Sequence, residues 1–203
     1  MKPANVVAVV GGALLTGVVF FALGRWTRPS EDWSRQHENR SSDAKEFRNA
    51  FLGLTVRAPE GSDWQLVFER EKLRPVPGVR VNKVLEINRI LQEGGTDRQW
   101  ARMDLFVEPL LGGIAVEQAV RRLEFRDRRS GFRMVSTEDT TIGSKAAKVR
   151  VSAWMVTSKK FRTVNYYVEH RDRLYAFVGV VEAGGYDRFR PTFDRIVASV
   201  RFD

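Results

Sequence analysis

The chain has no cysteine. Disulfides, thiolate metal sites, a cysteine nucleophile and the acylated cysteine of a lipoprotein are therefore excluded, while the redox compartment stays open. Histidine is almost as scarce. His37 has no second histidine or acidic cluster at ligand spacing, and His170 has no recognisable serine, cysteine or metal-ligand partner, so both read as solvated side chains. Neither an RNP, a helix-turn-helix nor a zinc motif accompanies the basic composition. The aromatics Trp154, Tyr166 and Tyr167 fall in expected strands, where packing is the default role, so nucleic acid is a poor partner. Long hydrophobic runs are rare too: there is one.

That run, Pro3 to Gly24, carries no charge and is bounded by Lys2 and Arg25, with Trp26 just beyond. As a helix it spans roughly 30 Å, the thickness of a bilayer's hydrocarbon core. Trp26 beside Arg25 and Arg28 suits the headgroup layer. Residues 1–25 are thus expected to form a single-pass transmembrane signal anchor. A cleaved signal peptide is the competing reading, since Ala22-Leu23-Gly24 places small residues at the cleavage-determining positions. Ala8 with Gly12 and Ala13 with Gly17 fall at four-residue spacing, a pattern that lets two helices approach closely and form a homodimer. Counting Lys2 against Arg25, Arg28, Arg35 and Arg40 favours a cytoplasmic carboxyl side. A very short amino-terminal tail favours export, and an extracytoplasmic domain is the expectation adopted.

Residues 26–46 mix both charge signs with Ser and Asn and few apolar groups, which reads as a flexible linker reaching roughly 25 Å. Asn39-Arg40-Ser41 matches a glycosylation sequon. The net charge is +9. Lys2 supplies one, residues 25–46 balance five basic against five acidic side chains, and +8 remains on residues 47–203, which are long enough for one domain with a sizeable core. A basic domain held near a bilayer points to anionic lipid or an acidic protein partner in a membrane complex.

Within 47–203, strands are expected over 51–59, 64–68, 100–108, 132–137, 146–157 and 161–170, with 69–83 as a loop or sheet edge and 84–91 open between strand and helix. Leu174 to Val181 is apolar on both pleat faces and predicts a central strand, joined to its neighbour by the hairpin His170-Arg171-Asp172-Arg173. Ile114 to Phe125 carries an apolar stripe of Val116, Ala119, Val120 and Leu123. A final helix places Phe189, Phe193, Ile196, Val197 and Val200 on one side, with Pro191 tolerable in its first turn.

Candidate chemistry is sparse. Asp104 and Glu108 share a strand face, the geometry a carboxylate pair needs, but read as solvent-facing acids. Arg121, Arg122, Arg126, Arg128, Arg129 and Arg133 crowd the end of the first helix and the turn after it. They either complement the helix dipole or form an anion- or partner-binding patch. No catalytic constellation, metal set or cofactor motif is found.

The order of strand, Gly-centred turn, long strand pair, aromatic-rich strand and final helix ending Ile196-Val197-Ala198-Ser199-Val200-Arg201-Phe202 resembles the PsbP/Mog-type α/β sandwich. The opening Leu52-Gly53-Leu54-Thr55-Val56 with Pro59 and Trp64 is similar to that family's first strands. The resemblance implies an α+β domain, an antiparallel β-sheet covered by helices, here preceded by one transmembrane helix. It also implies a non-enzymatic binding or assembly role in the cell envelope, with a small-molecule-binding or hydrolytic envelope enzyme as the alternative.

Overall fold

A computed structural model describes residues 45–61, 63–68, 82–90, 99–110, 116–121, 133–156 and 158–203. The expected anchor, the sequon and His37 lie outside these residues. Among the described residues, ten strands form two antiparallel sheets. The smaller holds β1 (Glu46–Asn49), β2 (Leu54–Arg57) and β10 (Arg201–Phe202) in the order β1-β2-β10. The larger has β3 (Trp64–Val67), β4 (Asn82–Arg89), β5 (Ala101–Pro109), β6 (Arg133–Ile142), β7 (Lys145–Val156), β8 (Lys159–His170) and β9 (Arg173–Glu182), in the order β3-β4-β5-β9-β8-β7-β6.

Strand β9 lies at the centre of the large sheet, as its doubly apolar sequence requires: Leu174, Tyr175, Ala176 and Phe177 are all buried. The ambiguous stretch 84–91 resolves as β4, because its alternation is filled on one side by Leu85 and Ile87 against Leu105 and Met103. Strand β6 runs through Glu138–Thr141, beyond the expected 132–137, because β7 offers a continuous antiparallel partner there.

One face of the large sheet is apolar, and helix α2 (Tyr186–Ala198) packs on it. The helix buries Phe189, Phe193, Ile196 and Val197, the stripe its sequence predicts. Pro191 is its sixth residue, in the second turn rather than the first. With no N–H, Pro191 leaves the Asp187 carbonyl without its helical donor, a loss an exposed position lets water make good. The helix stops at Ala198, and Arg201–Phe202 leaves it to pair with β2. Tyr166 on β8 donates its hydroxyl to Asp194 on α2 at 2.5 Å; burial and this bond raise its pKa and keep it protonated.

The small sheet covers the same face beside α2. The Tyr175 hydroxyl donates to the Leu52 carbonyl at 2.6 Å, and Phe202 packs on His170 with ring centroids 4.7 Å apart. His170 is therefore buried at 7% exposure, not solvated, because the carboxyl-terminal strand folds over it. Burial, with the charges of Lys145 and Arg171, lowers its pKa. The hairpin Arg171-Asp172 has φ of 49° and 54°, the pair of positive values that a two-residue type I′ turn demands. Two anchors hold this turn: Arg171 donates to the Asp203 carbonyl, and the Asp172 carbonyl accepts from the Leu110 amide.

On the opposite face, helical residues 116–121 (α1) lay Ala119 and Val120 over Phe106, Tyr167, Leu174 and Ala176. The fold is mostly antiparallel sheet, and among the described residues helix covers little of it.

Candidate functional site

The face that carries α1 is also where the sheet concentrates its polar side chains. Register places them in two adjoining rows. Asn88, Arg102, Val180, Thr163 and Ser152 lie side by side across β4, β5, β9, β8 and β7. Glu86, Asp104, Val178, Asn165 and Arg150 form the next row on the same five strands. Strand alternation explains the segregation: each polar residue here has an apolar neighbour in sequence that faces α2.

Most of these groups are removed from solvent. Glu86 is 0% exposed, Asp104 2%, Thr163 3% and Asn165 4%. Charges this deep persist only when paired. A bulge at Lys83–Leu85 brings the Lys83 ammonium to both acids: it pairs with Glu86 and lies 2.8 Å from Asp104 Oδ1. Arg102 holds the other Asp104 oxygen at 3.1 Å, and Asn88 donates its amide to Glu86. Arg150 ties the floor to α1 through Glu117 at 3.1 Å.

The two carboxyls, directly opposite across β4 and β5, titrate in opposite directions. Burial works to raise Glu86, but hydrogen bonds from Lys83 and Asn88 and the charges of Lys83 and Arg102 outweigh it, and the group sits below the usual carboxylate range. At Asp104 burial prevails over Arg102 and Lys83, with Glu86 adding to the effect, and the group sits above that range.

Around this neutralised cluster, several buried polar atoms have no partner: Asn165 Oδ1, Thr163 Oγ1, Asn88 Oδ1 and Arg102 Nε. Leaving such groups unmatched costs roughly 1–3 kcal/mol each, which makes them the clearest signal of a site on the described residues. At one end of the floor the rings of Trp154 and Phe161 stack at 4.6 Å and 21°, and Arg102 lies over Trp100.

Sequence reasoning found one member of this cluster. Asp104 is not solvent-facing, because its strand partners supply Lys83 and Arg102, a register invisible along the chain. Glu108 shares its face but lies four residues away, roughly 13 Å along the strand. His170 lies on the other face, with Val168 and Tyr166. The three do not converge. Of the arginine group, Arg121 is exposed on α1 with Glu117 at 3.7 Å, and Arg133 is exposed at the start of β6, while Arg122, Arg126, Arg128 and Arg129 lie outside the described residues. Tyr166 and Tyr167 are core residues. Glu86, Thr163 and Asn165 gave no signal, since isolated polar residues in strands read as solvent-facing. Among the described residues no group of three His, Asp or Glu could hold a metal. A surface depression of about 400 Å³ lies beside β1 and β2, but its cations are engaged. Lys45 donates to the Gly61 and Trp64 carbonyls, and Arg57 pairs with Glu46.

The chain superimposes on the solution structure of cyanobacterial PsbP (CyanoP) from Synechocystis with a TM-score of 0.56, at 11% identity, over 82% of this chain and 96% of that one. The fold is of the PsbP and Mog type. It also superimposes on the Saccharomyces cerevisiae Ran-binding protein Mog1p with a TM-score of 0.52, at 9% identity, over 80% and 96% of the two chains. No family model matches the sequence, and no curated protein matches it. At these identities the likeness extends to the PsbP/Mog scaffold alone, and function is argued from the residues on it.

Proposed function

We propose that this chain is a membrane-tethered, non-catalytic binding module whose ligand site is the polar face of the large sheet. The observation that carries the reading is the set of buried, unmatched polar atoms on that face, above all Asn165 Oδ1 and Thr163 Oγ1. The opposite face buries far fewer polar groups, chiefly His170 and the Tyr166–Asp194 pair. Both acids are engaged by cations, so the cluster fixes a surface rather than activates a group. The apolar run Pro3–Gly24 supplies the tether; among the described residues no helix is long and apolar enough to cross a membrane. An assembly partner or anionic lipid at Arg121 and Arg133 fits the +8 of the domain.

Two measurements test the reading. If Thr163 Oγ1 is kept for a ligand, Thr163→Val removes an unsatisfied group and stabilises the full chain by about 1–2 kcal/mol in urea unfolding. A loss of stability would show that the hydroxyl belongs to the fold. For the tether, a protease applied outside intact cells should cleave the domain after residue 46. Protection, with external proteins cleaved in the same sample, would put the domain on the cytoplasmic side.

A further inference from the structure

One corner of the large sheet, where β7 turns into β8, gathers cations on the face that carries α2. Arg133 on β6, Ala153 on β7 and Arg162 on β8 lie side by side in one row, and Met155 and Lys160 lie opposite each other in the next. Arg133 and Lys160 are exposed, and Arg162 is half-buried over the Tyr186 ring at 5.0 Å. Among the described residues none of the three has an acidic partner. Other surface cations do: Lys148 pairs with Asp139, Lys159 with Glu182 and Arg190 with Asp194. Lys145, Arg171 and Arg173, grouped around His170, share that setting with Asp203. Arg133 and Arg162 are two strand spacings apart, roughly 10 Å, and Lys160 is two residues from Arg162, roughly 7 Å. Like charges at this spacing repel, and an anionic surface laid against them relieves the repulsion.

The apolar residue beside these cations narrows the partner. Met155 is 59% exposed, the most of any large apolar side chain on the described residues. A single exposed apolar residue is ordinary, but here it shares a patch with three cations that have no acidic partner. Apolar side chains that enter the acyl boundary, beside cations whose stems lie along it and whose charges stay with the phosphates, are the composition of an interfacial anchor. Shape points the same way. A small anion or a peptide is held in a concavity, and the depression of about 400 Å³ lies beside β1 and β2 and does not reach this corner. A bilayer presents its charges in a plane and needs no cleft.

We infer that this corner docks on an anionic lipid surface, with Arg133, Lys160 and Arg162 on the headgroup phosphates and Met155 at the acyl boundary. The inference rests on the reading that Pro3–Gly24 holds the domain at a membrane. Lys145 to Met155 covers about 33 Å of β7, so the corner is far from the Gly143 turn that packs beside Val200. A linker over 26–46 reaches roughly 70 Å when extended, which lets the domain lie down on the bilayer.

The chain has no cysteine, so one introduced thiol labels a single position. The full chain carrying Met155→Cys, labelled with nitrobenzoxadiazole, is assembled into nanodiscs of phosphatidylcholine alone or with about one-third phosphatidylglycerol. Thr140→Cys, exposed on β6, controls for the dye. The label at 155 is expected to brighten and shift to the blue in the phosphatidylglycerol discs only, and to revert in 0.5 M salt. Arg133→Gln with Lys160→Gln, both exposed and so without cost to the fold, is expected to lower the bound-to-free ratio about thirtyfold, the loss of two cations at an anionic surface. A signal that ignores lipid charge or this double substitution would overturn the inference. So would a response to hexaglutamate without one to phosphatidylglycerol, which would assign the corner to an acidic protein. Retention of the chain by phosphatidylcholine discs reads the tether separately. Retention without the shift overturns the corner and keeps the tether, whereas a shift on added phosphatidylglycerol discs without retention does the reverse.

Discussion

Lys83→Met is expected to cost about 3–5 kcal/mol at neutral pH, because it leaves two buried carboxylates without the cation they share. Lys83 is 8% exposed, Glu86 0% and Asp104 2%, so water cannot replace the ammonium without opening the sheet face. Domains of this size are stable by only about 5–15 kcal/mol, so the substitution removes a large part of the total. The pH dependence identifies the cause. In the wild type Glu86 titrates below the usual carboxylate range. Its contribution is complete above the unfolded-state value and is lost as pH falls through its lower folded value. Asp104, raised by burial, works the other way: its cost is present above its raised folded value and is relieved as pH falls through it. Without Lys83 both carboxyls rise. The gap between wild type and variant is therefore widest at neutral pH and closes on acidification as both acids are protonated. Urea unfolding at three pH values between about 4 and 7.5 measures it. A gap under about 1 kcal/mol, or one that ignores pH, would mean that the cluster is solvated.

Gly179→Ala tests the other face. A Cβ at Gly179 would lie 2.8 Å from Phe193 Cδ2 and 2.9 Å from Val164 Cγ1, and both of those side chains are fully buried. Neither is the free end of a flexible chain, so α2 must lift from β9 or the sheet must deform. The expected cost is about 2–3 kcal/mol, at the upper end for an added methyl in a packed core. Gly184→Ala is the control, since a Cβ there meets nothing within 4 Å and should change stability by less than about 0.5 kcal/mol. Phe193→Leu in the Gly179→Ala background should cost less than the two single changes together, because the smaller side chain gives back the space. Strict additivity would mean that the clash is not between these two residues.

Both predictions concern side chains that meet only in three dimensions, and that marks how far the sequence could be read. The final helix was legible because its apolar stripe depends on local spacing: Phe189, Phe193, Ile196 and Val197 are buried as their 3.6-residue period requires. Strand β9 was legible for a similar reason, since a run apolar on both pleat faces has only the middle of a sheet to occupy. The His170–Arg173 hairpin followed from two flanking strands and a short polar turn.

The amino-acid sequence by itself determined an antiparallel α+β scaffold, its central strand and its closing helix, because periodicity and turn chemistry are properties of neighbours along the chain. Only the tertiary structure decided which polar residues are buried. Asp104 and His170 read as solvated until register set Lys83 and Arg102 beside the one, and the carboxyl-terminal strand laid Phe202 over the other. The candidate site draws on β4, β5, β7, β8 and β9, whose contributions lie tens of residues apart. No local pattern encodes such a site. Its chemistry arises from cross-strand proximity in a low-dielectric setting, where an Asn or Thr oxygen that would be ordinary in water becomes costly to leave unmatched.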